Sequence, residues 1–395
     1  MSERKNEKPG KIEEILDLAI ETSLRIEAGQ PTRLRPSYDH LSSARGQIIL
    51  GSRGTGKTTY LLHHLGRNNK WLYISADSPL IAQVGLYDIG RAAFRRDLDA
   101  LVIDEAHFAK HWSRDIKALY DEYPKKRILV SDSSRIILEK GFADLSRRFV
   151  RVQMNLLSFR EFLYLRDGLE LPALDFLHLD HSLVKKIVNT GPILAWFKEY
   201  LEGGMRPIFT EGNYLDRQIN IIEKTIFSDL PFVLPQVNEN SLRLGNAVIG
   251  MLALSSVPTI NVDSTCRDWE IGKETFYQLL SALASLSLIT IVNYKASTKV
   301  QSKGAKIFLS DPSLYAALGG LKGNMREAYV AHELKSHFGE VFACKDETEG
   351  DFVAKKLKFE VGGVSKKLKS SDFVLCDDLE FPVGKKIPLW VLGMR

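Results

Sequence analysis

The residues best suited to chemistry lie in Gly51-Ser52-Arg53-Gly54-Thr55-Gly56-Lys57-Thr58, which fits G-x-x-x-x-G-K-[ST] without a mismatch and continues into Thr59. Glycines at this spacing allow a tight turn to point its backbone N–H groups at phosphate oxygens, at the first turn of a helix whose dipole also favours negative charge. Lys57 is placed to reach the β- and γ-phosphates, and the Thr58 hydroxyl to help hold Mg²⁺. The expected ligands are ATP and Mg²⁺, bound by Gly51, Ser52, Arg53, Gly54, Thr55, Gly56, Lys57, Thr58 and Thr59.

A second set follows in Ala100-Leu101-Val102-Ile103-Asp104-Glu105-Ala106-His107, an apolar run that ends in two acids. A buried strand that delivers carboxylates at its C-terminal edge puts them in the crevice where open α/β sheets bind ligands. There Asp104 would hold Mg²⁺ through its water shell, while Glu105 would orient and polarise an attacking water. Arg127-Ile128-Leu129-Val130 reads as another strand, and Ser131 at its end would lie between the acids and the γ-phosphate, suited to sensing phosphate loss. Ser133 or Ser134 suits a helix N-cap instead.

These residues need elements to position them, and the pattern supplies strand and helix in alternation. Gln47 to Leu50 reads as a buried strand and Thr58 to Leu65 as the start of a helix, the context the loop requires. Trp71 to Ser75 reads as a strand, Leu80 to Arg96 and His111 to Tyr123 as helices, and Val150 to Met154 as a strand. This is the rhythm of a parallel sheet covered by helices. Ahead of it, residues 11 to 28 form an amphipathic helix ending at Gly29. In the proline-broken linker that follows, Arg35 or Tyr38 either touches a nucleotide base or lies in solvent.

At 395 residues the chain is too long for one ordinary core. Its 44% hydrophobic and 26% charged residues are those of a soluble globular protein, and a net charge of +5 permits a nucleic-acid partner. The first fifteen residues lack an apolar signal segment, and the longest apolar run, Ala247 to Leu254, is too short to cross a bilayer. Cys266, Cys344 and Cys376 are odd in number and widely spaced, which argues against a disulfide framework or zinc site and for a reducing, cytoplasmic setting.

Toward the C-terminus, a helix over Leu242 to Leu254, a segment Val262 to Trp269, a turn at Ile271-Gly272 and a helix Lys273 to Leu286 give a helix-turn-helix. Strands Leu288 to Val292 and Lys306 to Leu309 would form its wing. Arg267, Lys273, Lys295, Lys299, Lys303 and Lys306 supply charge for DNA, yet the second helix is apolar beyond Lys273, as in a packing module.

The loop, the acids, Ser131, Asp144-Leu145-Ser146-Arg147-Arg148 and Leu157-Ser158-Phe159-Arg160-Glu161-Phe162 together resemble the AAA+-type ATPases of archaea and bacteria that carry a C-terminal domain of unknown function. The resemblance implies a P-loop NTPase parallel sheet with a helical lid, then a winged helix and a small α/β restriction-endonuclease-like domain. The corresponding boundaries are 1–40 for the N-terminal helix and linker, 41–165 for the ATPase core, 166–238 for the lid, 239–322 for the winged helix and 323–395 for the nuclease-like part. Arg148 matches the family's arginine finger or phosphate sensor, but Arg147 replaces the preceding glycine, leaving open which of the two faces phosphate. In the PD-(D/E)xK pattern Glu327, Asp351 and Glu360 would hold Mg²⁺, while Gly362 stands at the lysine position, with Lys366 or Lys367 following. The domain is therefore either a nuclease or a nuclease-derived binding domain. The expected activity is ATP hydrolysis driving action on DNA; the alternative is an ATP-dependent switch that binds a protein partner, and transfer of phosphate to a small acceptor ranks third.

Overall fold

The computed structural model describes residues 9–40, 42–63, 70–133, 145–234, 239–294, 305–346, 348–368 and 370–395. Ser134, Asp144, Lys295, Lys299 and Lys303 lie outside the described residues, as does the end of the helix expected to Leu65. The chain forms two compact units, Met1–Asn155 and Leu156–Arg395.

The first unit is a five-stranded sheet in the order β2-β3-β4-β1-β5. Its strands are β1 (Gly46–Leu50), β2 (Trp71–Ser75), β3 (Ala100–Asp104), β4 (Arg127–Asp132) and β5 (Val150–Gln153), and every pairing is parallel. Parallel strands are covered on both faces and so read as continuous apolar runs. Alternate side chains serve the two layers: Ile48, Leu50, Leu101, Ile103, Ile128 and Val130 enter one core, while Ile49, Val102 and Leu129 enter the other. Around the sheet lie α1 (Pro9–Ala28), α2 (Lys57–His63), α3 (Pro79–Val84), α4 (Leu86–Arg95) and α5 (Trp112–Glu122). The single helix expected over Leu80 to Arg96 is thus two. Gly85 at φ +89° separates them, a left-handed setting that glycine adopts without a Cβ penalty and that a continuous helix cannot contain.

In the second unit, α6 (Phe159–Asp167) opens with a capping box in which Glu161 N–H donates to Ser158 Oγ and Ser158 N–H donates to Glu161 Oε2. Phe159 and Phe162 join Phe197 and Tyr200 in an aromatic cluster, and Arg160 Nε donates to the Arg395 carbonyl at 2.9 Å. The Leu-Ser-Phe-Arg-Glu-Phe phrase therefore works here as a helix start and a core anchor. There follow α7 (His181–Val188), α8 (Ile193–Glu199), α9 (Tyr214–Lys224), α10 (Leu230–Val233), α11 (Glu239–Leu254), α12 (Val262–Asp268) and α13 (Lys273–Ser285). An antiparallel hairpin of β6 (Ile289–Val292) and β7 (Lys306–Leu309) leads to α14 (Ser313–Ala317) and α15 (Lys322–Phe338). A mixed sheet, β12-β11-β10-β9-β8, is built from β8 (Phe342–Ala343), β9 (Phe352–Ala354), β10 (Leu357–Gly362), β11 (Phe373–Cys376) and β12 (Lys386–Pro388), and α16 (Leu389–Leu392) closes the chain. One hydrophobic cluster runs through this unit from Leu156 to Met394. No helix among the described residues is long and apolar enough to cross a membrane.

Candidate functional site

The loop from Gly51 to Gly56 leaves the C-terminal end of β1 and enters α2 at Lys57. Gly56 sits at φ +89°, and a Cβ on Gly51 would lie 2.6 Å from the Met154 carbonyl, so both positions need glycine. Arg35 Nη1 donates to the carbonyls of Thr55 at 3.1 Å and Asn155 at 2.8 Å, and Tyr38 Oη donates to the Gly56 carbonyl at 2.9 Å. Both side chains are buried. They are thus not in solvent; they hold the loop by its carbonyls.

Lys57 is buried, and its ammonium donates to the carbonyls of Gly51 at 2.8 Å and Ser52 at 3.1 Å. Burial lowers its pKa, against the pull of Glu105 and Asp104. Asp104, the last residue of β3, gathers the site. Its Oδ2 accepts from Thr58 Oγ1 at 2.7 Å and from Tyr73 Oη at 3.0 Å, and its Oδ1 accepts from Ser131 Oγ and, at 3.0 Å, from Glu105 N–H. Thr58 and Asp104 thus bring a hydroxyl and a carboxylate together, a donor set whose chemistry suits Mg²⁺.

Glu105 adopts φ +50°, left-handed for a residue with a side chain, which turns the carboxylate out of the strand line toward the loop. Arg53 Nη1 donates to its Oε1 at 2.7 Å and Ser133 Oγ to its Oε2 at 3.2 Å. Burial raises the Glu105 pKa, and Arg53 and Lys57 pull it back only in part. Behind it, His107 places Nδ1 2.9 Å from Asp132 Oδ2, and Glu105, His107 and Asp132 bring ligand-type atoms within 4.8 Å of one another. Neither this pair nor the supporting contacts of Arg35, Tyr38 and Tyr73 is legible in the sequence. Only the adjacency of β3 and β4 brings residues 107 and 132 together.

The loop, Asp104, Glu105 and Ser131 thus converge. Arg148 does not join them. Its guanidinium pairs with Asp121 at 2.7 Å, and its carbonyl abuts Gly46 at the start of β1, about 16 Å from the loop at 3.3 Å per strand residue. Arg147 is exposed beside it.

In the second unit Glu327 lies on α15, Asp351 immediately before β9 and Glu360 within β10. Lys306 of β7 places Nζ 2.8 Å from both Glu327 Oε2 and Asp351 Oδ1, and Lys366 places Nζ 2.8 Å from Glu360 Oε1.

Residues 43–163 match the family described as an AAA domain. That match supports a P-loop ATPase within a five-stranded parallel sheet, and it implies nucleotide binding. The uncharacterized protein MJ1637 of Methanocaldococcus jannaschii is 26% identical over 332 residues, 75% of this chain and 70% of that protein. Among solved structures, one titled "Structural Basis for Katanin Self-Assembly" is 17% identical at TM-score 0.28, covering 72% of this chain and 84% of that one. The S. cerevisiae Hsp104-ADP complex is 14% identical at TM-score 0.27 (70% and 41% covered). Drosophila ORC bound to AT-rich DNA and Cdc6 is 11% identical at TM-score 0.22 (78% and 94% covered). Likenesses at these scores say nothing about function.

Proposed function

We propose that this chain binds ATP with Mg²⁺ and hydrolyses it by in-line attack of water. The observation that carries the reading is the meeting of Thr58, Asp104, Ser131 and Glu105 at the mouth of the phosphate loop. On binding, Lys57 exchanges two loop carbonyls for phosphate oxygens, a stronger charge-assisted partnership. Thr58 and Asp104 would hold Mg²⁺, which would neutralise charge on the phosphates. Glu105 orients the water and accepts its proton, for which a carboxylate of raised pKa is the better base. Ser131, tied to Asp104, is placed to register loss of the γ-phosphate. Release of free phosphate as the sole product supports hydrolysis, and transfer to an added acceptor would replace it with a kinase reading.

The cycle is proposed to act on DNA through α11 to α13 and the β6–β7 hairpin, read as a winged helix, with the net charge of +5 in its favour. The second reading is a switch that binds a protein partner, and one observation favours it: Lys273, the only Lys or Arg on α13, is paired with Asp263. Turnover measured with and without single- and double-stranded DNA separates the two. Stimulation supports action on DNA, and no change together with a nucleotide-dependent shift in oligomer size supports the switch.

A further inference from the structure

The resemblance to PD-(D/E)xK nucleases implies a divalent cation among Glu327, Asp351 and Glu360, and the side chains present do not fit one. Mg²⁺ or Mn²⁺ draws several oxygens to about 2.0–2.2 Å around a single point. Among the described residues these three carboxylates form no group with oxygens all within 4.8 Å of one another. Instead they are shared out between two ammonium groups. Lys306 stands between Glu327 and Asp351, and the second oxygen of Asp351 accepts from Val361 N–H at 2.9 Å.

Lys306 is not a side chain that has strayed in from a loop. Its strand pairs with β6 through Val292, the next residue donates N–H to the Pro258 carbonyl at 2.7 Å, and its ammonium lies 4.9 Å from the Phe352 ring. Burial works to lower its pKa, yet Glu327 and Asp351 outweigh that and raise it, so the group stays an ammonium. Lys366 is fitted equally closely. A Cβ added at Gly362 would lie 2.7–2.8 Å from the Lys366 Cβ, Cγ and Cδ, so this lysine runs through the space that a side chain at 362 would take.

We propose that Lys306 takes the cation's place in this chain, so that the cluster is a metal-free ionic joint fastening β7 to α15 and the start of β9, with Lys366 capping Glu360. The joint holds together by charge without a metal, and a cation enters only if Lys306 is removed.

The test is Mn²⁺ titration of the full, nucleotide-free chain, reading free Mn²⁺ by electron paramagnetic resonance. Wild type should hold no Mn²⁺ that Asp351→Asn or Glu360→Gln abolishes. Lys306→Met, similar in length but uncharged, leaves two carboxylates facing one another and should tighten Mn²⁺ binding by about tenfold or more, a gain that Asp351→Asn removes. Wild-type binding lost in Asp351→Asn overturns the proposal, as does a folded Lys306→Met chain with no gain. Should Lys306→Met fail to fold, the wild-type and Asp351→Asn titrations decide by themselves.

Discussion

Replacing Glu105 by glutamine separates catalysis from fold more cleanly than any other substitution in the phosphate site. Gln keeps the shape: its Oε1 can still accept from Arg53, and its Nε2 amide can donate to the Ser133 hydroxyl that donates to the native carboxylate. The carboxyl pKa is raised by burial, so its surroundings disfavour the charged form despite Arg53, and a neutral amide should be tolerated. The expected stability change is about 1 kcal/mol or less, a shift of a few degrees in melting temperature. Turnover should fall by about 100- to 10,000-fold, the usual worth of a positioned base, or about 3 to 5 kcal/mol on the barrier. ATP affinity should hold within about threefold, since neither Lys57 nor Thr58 is touched. The assay is phosphate release under saturating ATP, beside fluorescent-nucleotide binding and a thermal melt. Turnover within tenfold of wild type would place the base elsewhere, and a collapse of the melt would mean that Glu105 holds the fold instead.

Three further outcomes follow from the same contacts. Lys57→Ala should weaken nucleotide binding by about 100-fold, the loss of two charge-assisted bonds to phosphate, while the nucleotide-free melt stays near wild type because burial already disfavours this ammonium; equal affinity by fluorescence titration would refute it. The acid limb of the turnover profile should have its midpoint above the ordinary Glu value of about 4.3, because Glu105 must be ionised to act and its pKa is raised. Protonating a carboxyl of raised pKa favours the folded state, so this loss is one of activity and the circular dichroism signal should persist through it. In the second unit, Asp311→Asn breaks a buried pair with Arg206 at 2.5 Å and should cost about 3 to 5 kcal/mol in chemical denaturation; a cost below about 1 kcal/mol would mean that Gln218 and Ser313 suffice for that pocket.

The parts of the site legible in the sequence are those fixed by local spacing. Gly51 to Thr58 carries its own turn and helix, and Asp104-Glu105 is read from the apolar strand before it. Ser131 is read the same way, from the end of β4. What escaped depends on which strands lie side by side. Tyr73 reaches Asp104 because β2 neighbours β3, and His107 reaches Asp132 because β3 neighbours β4, an order that no run of residues states. Arg35 serves Thr55 and Asn155, far from it along the chain, so its basic, proline-flanked surroundings read only as a linker. A local phrase marks Arg148, but its distance from this chain's own loop follows from where β5 begins against β1. Likewise, Lys306 reaches Glu327 and Asp351 from a hairpin outside the pattern's frame, whereas Lys366, which lies just after Glu360 in the sequence, does reach it.

The Asp104 carboxylate, with four donors on two oxygens, behaves like a fully subscribed exchange. A newcomer gains a bond there only by evicting a resident, and three of the four residents are hydroxyls from three different elements. Tyr73 is one of those residents, held on the strand next to the acid.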